Sequence, residues 1–365
     1  MFFLENIVLT NFRCYDSLKE SFSDKTNIIV GNNATGKTSL VEAIYYLGVA
    51  KSHKAKSDDE IIKHNQDFSM IKGYFENGKG TDEVVLTISK DGKKIIKNKK
   101  PLKSFSEYLG YFNAVMFCPE DVGLITGAPL NRRKFLDINI GQINSKYLNS
   151  AIKYRKILKQ RNELLKSYGN SSNFNDDLLS VYTKALIEEA KIIISEREKF
   201  ILDLNNHLVG KCLVISGKKD EAKIIFNPNC SIENLESEAK NKNSLDKMTK
   251  TTNWGPHRDD FYININNMDS SKFASQGQQK TLALSIKLGV ADLIKQMHRD
   301  IIVILDDVFG ELDSLRQNRL LDLLKMSSQI FITTTSVEFL SDNVLENSKI
   351  IYINNGGEWK WKKKL

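Results

Sequence analysis

Eight residues carry the densest chemistry in this chain: Gly31-Asn32-Asn33-Ala34-Thr35-Gly36-Lys37-Thr38, with Ser39 directly behind them. The two glycines let backbone N–H groups close round phosphate oxygens, and the start of the following helix adds its positive end. Lys37 would reach the β- and γ-phosphates of a nucleoside triphosphate, and the Thr38 hydroxyl would help to hold Mg2+. A second constellation lies late in the chain, where the apolar run Ile301–Leu305 ends in Asp306-Asp307. A carboxylate at the end of a buried strand can bind Mg2+ directly or through water. A second carboxylate one residue on can orient or deprotonate an attacking water. A third piece, Ser275-Gln276-Gly277-Gln278-Gln279-Lys280, opens a helix. Ser275 is a natural N-cap, Gly277 permits close approach, and a helix start can take an anion.

These residues need elements to position them. Asn27–Val30 reads as a buried strand and Ser39–Leu47 is apolar at helical spacing, so the first loop has its strand–turn–helix context. Val84–Ile88 and Lys94–Lys97 flank Asp91-Gly92, which predicts a hairpin with a type I′ turn. Val115–Phe117 is a short strand ending at Pro119. Helical character begins near Pro129 and continues through Tyr147, Ala151, Tyr154, Leu158 and Leu165, with Arg161 interrupting. After Gly169-Asn170-Ser171-Ser172 it resumes at Leu179, Tyr182, Leu186, Ile193, Phe200 and Leu204, which suggests an antiparallel helical hairpin too irregular for an extended coiled coil. Glu233–Lys250 is polar and reads as an exposed connection. Strands follow at Phe261–Ile265, Ile301–Leu305, Gln329–Thr335 and Lys349–Ile353, with a helix over Gln278–Met297. The chain thus reads as α/β at both ends with a helical insertion: 1–128 as the N-terminal half of an ATPase domain, 129–250 as a helical lid or arm, and 251–365 as the C-terminal half.

The chain has 365 residues, 41% hydrophobic and 27% charged, with a net charge of +8. That is ordinary for a globular protein and compatible with a polyanionic partner. No stretch approaches the roughly 20 apolar residues that span a bilayer. Met1–Asn6 reads as a first strand, without the basic and apolar regions of a signal peptide. Cys14, Cys118, Cys212 and Cys230 are scattered, so neither zinc nor a disulfide framework is suggested, and a reducing cytoplasm is the economical inference.

Taken together, the three pieces resemble the ATP-binding-cassette ATPases of the SMC type, and within them the RecF family. The motifs that carry the resemblance are Ser275–Lys280, Cys118-Pro119-Glu120-Asp121, Arg132–Asp137, Gln160–Leu165, Gly255–Asp260 and Asp306–Asp313. The resemblance implies an SMC/ABC-type P-loop ATPase head with a helical lid, an Mg2+-dependent weak ATPase that dimerises when ATP is bound and separates on hydrolysis. It implies roles in DNA repair, replication and the SOS response, in the RecFOR pathway that places RecA on gapped DNA. DNA, RecR and RecO are the implied partners. By the same resemblance Lys37, Thr38 and Asp306 contact phosphate and metal, Asp307 takes the place of a catalytic Glu, Arg13 approaches the phosphates, and His53 and Ser52 fall near the adenine side. Ser275, Gly277 and Gln278 would act on the nucleotide of a second copy, and Glu311-Leu312-Asp313 would cross the dimer interface. Two departures stand out: Thr335-Ser336 replaces the usual switch His, and no Q-loop glutamine is evident near Cys118–Asp121.

Other features admit two readings. Lys90, Lys93, Lys94, Lys97, Lys99 and Lys100 could grip DNA phosphates or protect an edge strand. Arg132, Arg133 and Lys134 sit unfavourably at a helix start and point to an anionic or acidic partner. His257 and Arg258 read as a local loop network, while Trp359–Lys364 could touch DNA or close a strand edge. The rival classes are a membrane importer or exporter subunit and a non-enzymatic scaffold with structural ATP.

Overall fold

Two patterns of burial separate the two larger sheets. In the computed structural model, which describes residues 2–55, 57–168, 174–217, 219–297, 299–309, 314–324, 329–340 and 342–353, strand β3 (Thr26–Val30) is almost wholly buried. So are β8 (Asn113–Phe117), β12 (Ile301–Leu305) and β13 (Gln329–Thr334). With β14 (Ser348–Tyr352) they form a parallel sheet in the order β14-β3-β13-β12-β8. Continuous apolar runs belong in such a sheet because both faces are covered. By contrast β4 (Phe68–Glu76) and β5 (Thr81–Ser89) alternate. They lie in an antiparallel sheet with β1 (Phe3–Phe12), β2 (Tyr15–Ser21), β6 (Gly92–Lys97) and β7 (Lys100-Pro101), in the order β2-β1-β4-β5-β6-β7.

Helix α1 (Lys37–Val49) touches β8 and β13 of the parallel sheet and β1 and β4 of the antiparallel one. It is therefore buried on nearly every side, and its apolar residues run all round it. Gly48 lets it approach closely, since a Cβ there would meet Ala114 Cβ at 2.8 Å. Gln329 fastens the sheets to each other: its amide accepts from Leu4 N at 2.9 Å and donates to Leu4 O and Ser23 O at 2.9 and 2.7 Å.

The chain divides into two compact units, Met1–Asp121 with Val214–Lys218 and Leu284–Leu365, and Val122–Leu213 with Lys219–Ala283. The first unit contains both sheets, α1, α2 (Phe105–Tyr108), α11 (Ser314–Leu324) and α12 (Asp342–Glu346). The second holds α3 (Gly123–Thr126), α4 (Pro129–Ile143), α5 (Ser145–Lys166), most of α6 (Asp176–Ser216), α7 (Leu235–Asn241), α8 (Asn243–Thr249) and α9 (Ser270–Phe273). Helix α10 (Gln276–Gln296) starts in it. A three-stranded sheet in the order β11-β10-β9 completes it, from β9 (Ala222–Asn227), β10 (Asp260–Ile265) and β11 (Met268-Asp269). Residues 251–283, expected with the C-terminal ATPase half, thus pack with the helical unit, because β10 finds its partner in β9.

Helices α5 and α6 are antiparallel, as Asn144–Glu196, Lys153–Glu189 and Arg161–Thr183 contacts step along them in opposite directions. Three expectations need correcting. Glu233–Lys250 is not an exposed connection but folds into α7 and α8, because Leu235, Ala239 and Asp246 are buried. The Lys90-Asp91 turn is not type I′: neither residue has positive φ, and only Gly92 does, at 112°. That is a type I turn closed by a left-handed glycine. Arg161 does not interrupt its helix face. It is fully buried, donating to Asp246 Oδ2 and Thr252 Oγ1 at 2.8 Å each, beneath the Trp254 ring. The turn residues 169–172, His298 and the tail 359–364 lie outside the described residues.

Asp246 also accepts from Asn253 N and Trp254 Nε1, at 2.8 and 3.2 Å. Removing one partner of a buried pair strands the other charge, so Asp246→Ala should cost about 3–5 kcal/mol of unfolding free energy. Urea unfolding should show the double change Arg161→Met with Asp246→Leu costing less than Asp246→Ala alone.

Candidate active site

The phosphate-type loop leaves β3 at Val30 and enters α1 at Lys37. Gly36 has φ 105°, and a Cβ on it would meet Tyr15 Oη at 2.6 Å. Tyr15, on β2, donates to Gly36 O at 3.0 Å, and burial pushes its phenol upward so that it stays a donor. Lys37 is 4% exposed, and its Nζ donates to Gly31 O and Asn32 O at 2.8 and 2.9 Å. Thr35 Oγ1 donates to Asn32 O at 2.9 Å. The loop is therefore curled round its own ammonium group, with Asn32, Asn33 and Ala34 exposed at the rim. The first turn of α1, where Thr38 and Ser39 sit, has no acidic residue and no side-chain cap, which leaves its amides open to an anion.

Asp306 ends β12 and is 2% exposed. Its Oδ1 accepts from Thr38 Oγ1 at 3.1 Å and from Thr333 Oγ1 at 2.8 Å. Thr333 Oγ1 in turn accepts from Asp307 N at 2.9 Å, and Asp306 N donates to Phe117 O at 2.8 Å. Asp306 thus joins α1 and β13 through its carboxylate and β8 through its backbone N–H. Burial pushes the Asp306 carboxyl above its ordinary range, and Asp307 adds to this, while the two hydroxyls and Lys54 oppose it. Asp307 lies in the left-handed region at φ 52°, which ends the strand at once. Among the described residues its carboxylate accepts no hydrogen bond. The Thr38 hydroxyl and Asp306 carboxylate are hard oxygen donors side by side. Mg2+ takes few protein ligands and completes its shell with water and phosphate, so this pair fits it.

Arg13 is engaged with groups of the chain itself. Its guanidinium clasps Glu42 of α1 through two 2.8 Å bonds and donates to Glu60 O at 2.8 Å. Burial pushes the Glu42 carboxyl up, but the bonds from Arg13 and Ser52 outweigh it and the net shift is downward. Ser52 donates to Glu42 and accepts from Lys54 N and Ala55 N. His53 packs edge-on to Tyr45, with both ring nitrogens buried and unpartnered. Burial lowers it to about 4. After β8, Asp121 accepts from Cys118 N and pairs with Lys287 at 2.9 Å, and Glu120 pairs with Lys54 at 3.1 Å. Thr335 is exposed and Ser336 caps a short turn by accepting from Glu338 N, while the hydroxyl that meets the Asp306 carboxylate from β13 is that of Thr333. Sequence reasoning passed over Thr333 and Tyr15. Only the strand order, with β13 between β3 and β12, marks Thr333.

Within the second unit, Ser275 and Gln278 bond reciprocally at the start of α10. Ser275 N donates to Gln278 Oε1 at 3.0 Å and Gln278 N to Ser275 Oγ at 3.3 Å, a capping box. Ser275 and Gly277 are exposed, and a Cβ on Gly277 would meet nothing within 4 Å. Asp313 and its neighbours Glu311 and Leu312 lie outside the described residues.

The other middle motifs are internal. Arg132 clasps Asp260 at 2.6 and 2.9 Å, and Arg133 donates to Asp259 O. The acidic partner expected for this cluster is therefore in the chain itself. Arg197, buried, joins Asp137 and Asp259 at 2.9 Å each. His257 bonds Tyr154 Oη at 2.7 Å and Arg258 donates to Asn253 Oδ1 at 2.8 Å, the local network expected. Of the hairpin lysines, Lys93 pairs with Asp58 and Lys97 lies over Tyr111, while Lys90, Lys94, Lys99 and Lys100 are exposed.

Comparison with known proteins agrees with this geometry. Residues 3–357 match the family model described as RecF/RecN/SMC N terminal domain. The chain is 39% identical to a DNA replication and repair protein RecF of Bacillus cereus, over 97% of each chain. The RecF of Bacillus thuringiensis (strain Al Hakam) matches equally. A solved structure of the recombination mediator protein RecF with ATP in the RecFOR pathway superposes with a TM-score of 0.89 at 31% identity, covering 98% of this chain and 97% of that one. An Smc head domain of Pyrococcus furiosus, at 17% identity and TM-score 0.54, shares the fold.

A carboxyl raised by folding loses stability as pH climbs through the carboxylate range, since the folded state then gives up a proton it holds more tightly. Asp306→Asn should therefore keep or raise the melting temperature of the nucleotide-free chain at neutral pH. The same change should remove about 100-fold or more of any Mg2+-dependent ATP turnover. Calorimetry and a phosphate-release assay on the one variant check both halves.

Proposed function

The chain belongs to the RecF/RecN/SMC N-terminal domain family, among the RecF proteins, and we propose that it is an ATP-switched, DNA-binding protein of replication and recombinational repair. The observation that carries this reading is the bond from the Thr38 hydroxyl to Asp306, which brings the two halves of a Mg2+–triphosphate site together from positions 268 residues apart. On this reading Lys37 and the loop amides hold the β- and γ-phosphates, and Thr38 and Asp306 hold Mg2+. Asp307, with its carboxylate unengaged, orients the attacking water. Being one methylene shorter than a glutamate, it positions that water less well, which favours slow turnover. Arg13 acts indirectly, by fixing Glu42 and hence the first turns of α1.

The exposed Ser275 and Gly277, at the start of a helix with open space beside them, suit the γ-phosphate of a nucleotide held by a second copy. ATP then favours pairing because only the paired state contacts the γ-phosphate from both sides, and hydrolysis removes that differential affinity. The solved RecF structures are described within the RecFOR pathway. By that likeness DNA, RecR with RecO, and RecA downstream are the partners, in the cytoplasm. No helix among the described residues is long and apolar enough to cross a membrane. The exposed Lys90, Lys94, Lys99 and Lys100 are candidates for phosphate contact.

Sedimentation velocity tests the switch. With ATP and Mg2+ the wild-type chain should move from monomer to dimer. Ser275→Arg should bind ATP within about threefold of wild type, a difference of well under 1 kcal/mol, yet remain monomeric. An unchanged sedimentation profile of the wild type on adding ATP would reject the switch, and a dimeric Ser275→Arg would remove that residue from the interface.

A further inference from the structure

The amide of Gln278 is held from both ends. Its Oε1 accepts from Ser275 N at 3.0 Å, and its Nε2 donates to Asp220 Oδ1 at 3.0 Å. Asp220 is 8% exposed and stands between the end of α6 at Ser216 and the start of β9 at Ala222. The same Oδ1 accepts from Asn266 Nδ2 at 3.1 Å. Asn266 is in turn locked into the chain beside Asp220, with Glu221 N donating to its Oδ1 and its own N donating to Glu221 O, at 2.9 Å each. The carboxylate is thus part of a rigid turn, not a loose surface acid.

This arrangement fixes which way the Gln278 amide points. Turned over, its NH2 would face the Ser275 N–H and its oxygen would face a carboxylate, two repulsive contacts in place of two bonds. With the amide fixed, Ser275 N is satisfied and the Ser275 hydroxyl accepts from Gln278 N. A hydroxyl that already accepts there still has one O–H to give. Ser275 and Gly277 are exposed, so that O–H is open to an acceptor from outside the loop. The Gln278 amide bonds Ser275 N on one side and Asp220 Oδ1 on the other.

We propose that Asp220 is a positioning residue for the Ser275–Lys280 loop: by orienting the Gln278 amide it holds Ser275 ready to donate to the γ-phosphate on a second copy of the chain. This rests on the ATP-switched pairing described above. Asp220 bonds the Ser275–Lys280 loop, whereas Lys37 and the phosphate loop belong to the other compact unit. The loss should therefore appear in pairing and turnover, and not in nucleotide affinity of the single chain.

The experiment compares wild type, Asp220→Ala and Asp220→Asn, each as the full chain, with ATP and Mg2+ as the probe. Three readings are taken: ATP affinity of the monomer, the dimer dissociation constant by sedimentation equilibrium, and amide hydrogen exchange over 275–279 without nucleotide. Asp220→Ala should weaken pairing by about tenfold or more, the scale of a lost bond to a charged group. It should speed exchange over 275–279 and leave monomer affinity for ATP unchanged. Asp220→Asn keeps an Oδ1 acceptor and should restore most of the pairing, which also covers the case in which the alanine variant folds poorly. A wild type that fails to pair with ATP overturns the switch and this proposal with it. A wild type that pairs, with either both variants pairing equally well or Asp220→Asn as impaired as Asp220→Ala, overturns the proposal alone.

Discussion

A single buried oxygen, Oδ1 of Asp306, sets the terms for the ATPase-like unit. Two hydroxyls converge on it, one from the first turn of α1 and one from the end of β13. They can do so only if β13 lies between β3 and β12, which is the observed strand order. Hydrogen bonds to a charged group are worth about 1.5–3 kcal/mol each, yet burial still wins and the carboxyl is pushed upward. The site is thus not a source of stability. It is held by the apolar sheet round it, and a bound cation would invert its electrostatics by giving the carboxylate the countercharge that two neutral hydroxyls lack.

The second unit uses charge for a different purpose. Arg132 with Asp260, Arg161 with Asp246, and Arg197 between Asp137 and Asp259 are all internal pairs, most of them deeply buried. Breaking such a pair is far more damaging than replacing it whole with apolar residues, so these charges dictate a unique arrangement of helices and loops more than they add to stability. Here the motifs that looked most like surface chemistry in the sequence are scaffolding.

What the sequence made legible follows from range. The phosphate loop, the strand at Ile301–Leu305 and the helix at Ser275 are each specified within about a dozen residues by spacing and turn chemistry, and all appear where local rules put them. Thr333, Tyr15 and Asp220 were invisible because their roles are set by partners 21 to 58 residues away. A threonine ending an apolar strand and an aspartate after a helix are ordinary until the topology supplies a neighbour. Residues 233–250 misled for a related reason: two buried apolar positions and one buried acid, in a polar stretch, give no periodic signal, and the stretch folds because Asp246 has Arg161 to meet. Arg13 shows the same limit, since its partner Glu42 becomes visible only when β1 and α1 are brought together.

The replacement of a late-strand histidine by hydroxyls has a physical consequence. A histidine near Asp306 would carry a titrating charge and could offset the carboxylate by itself. Thr333 cannot take a charge, so it orients Asp306 without neutralising it. Lys54 is a cation that does act on Asp306, and it is shared with Glu120. The countercharge at the buried Asp306 carboxylate therefore comes from Lys54, shared with Glu120, and a divalent ion arriving there would supply a second. The instability of the ionised carboxyl and its suitability for a cation are two consequences of the same burial.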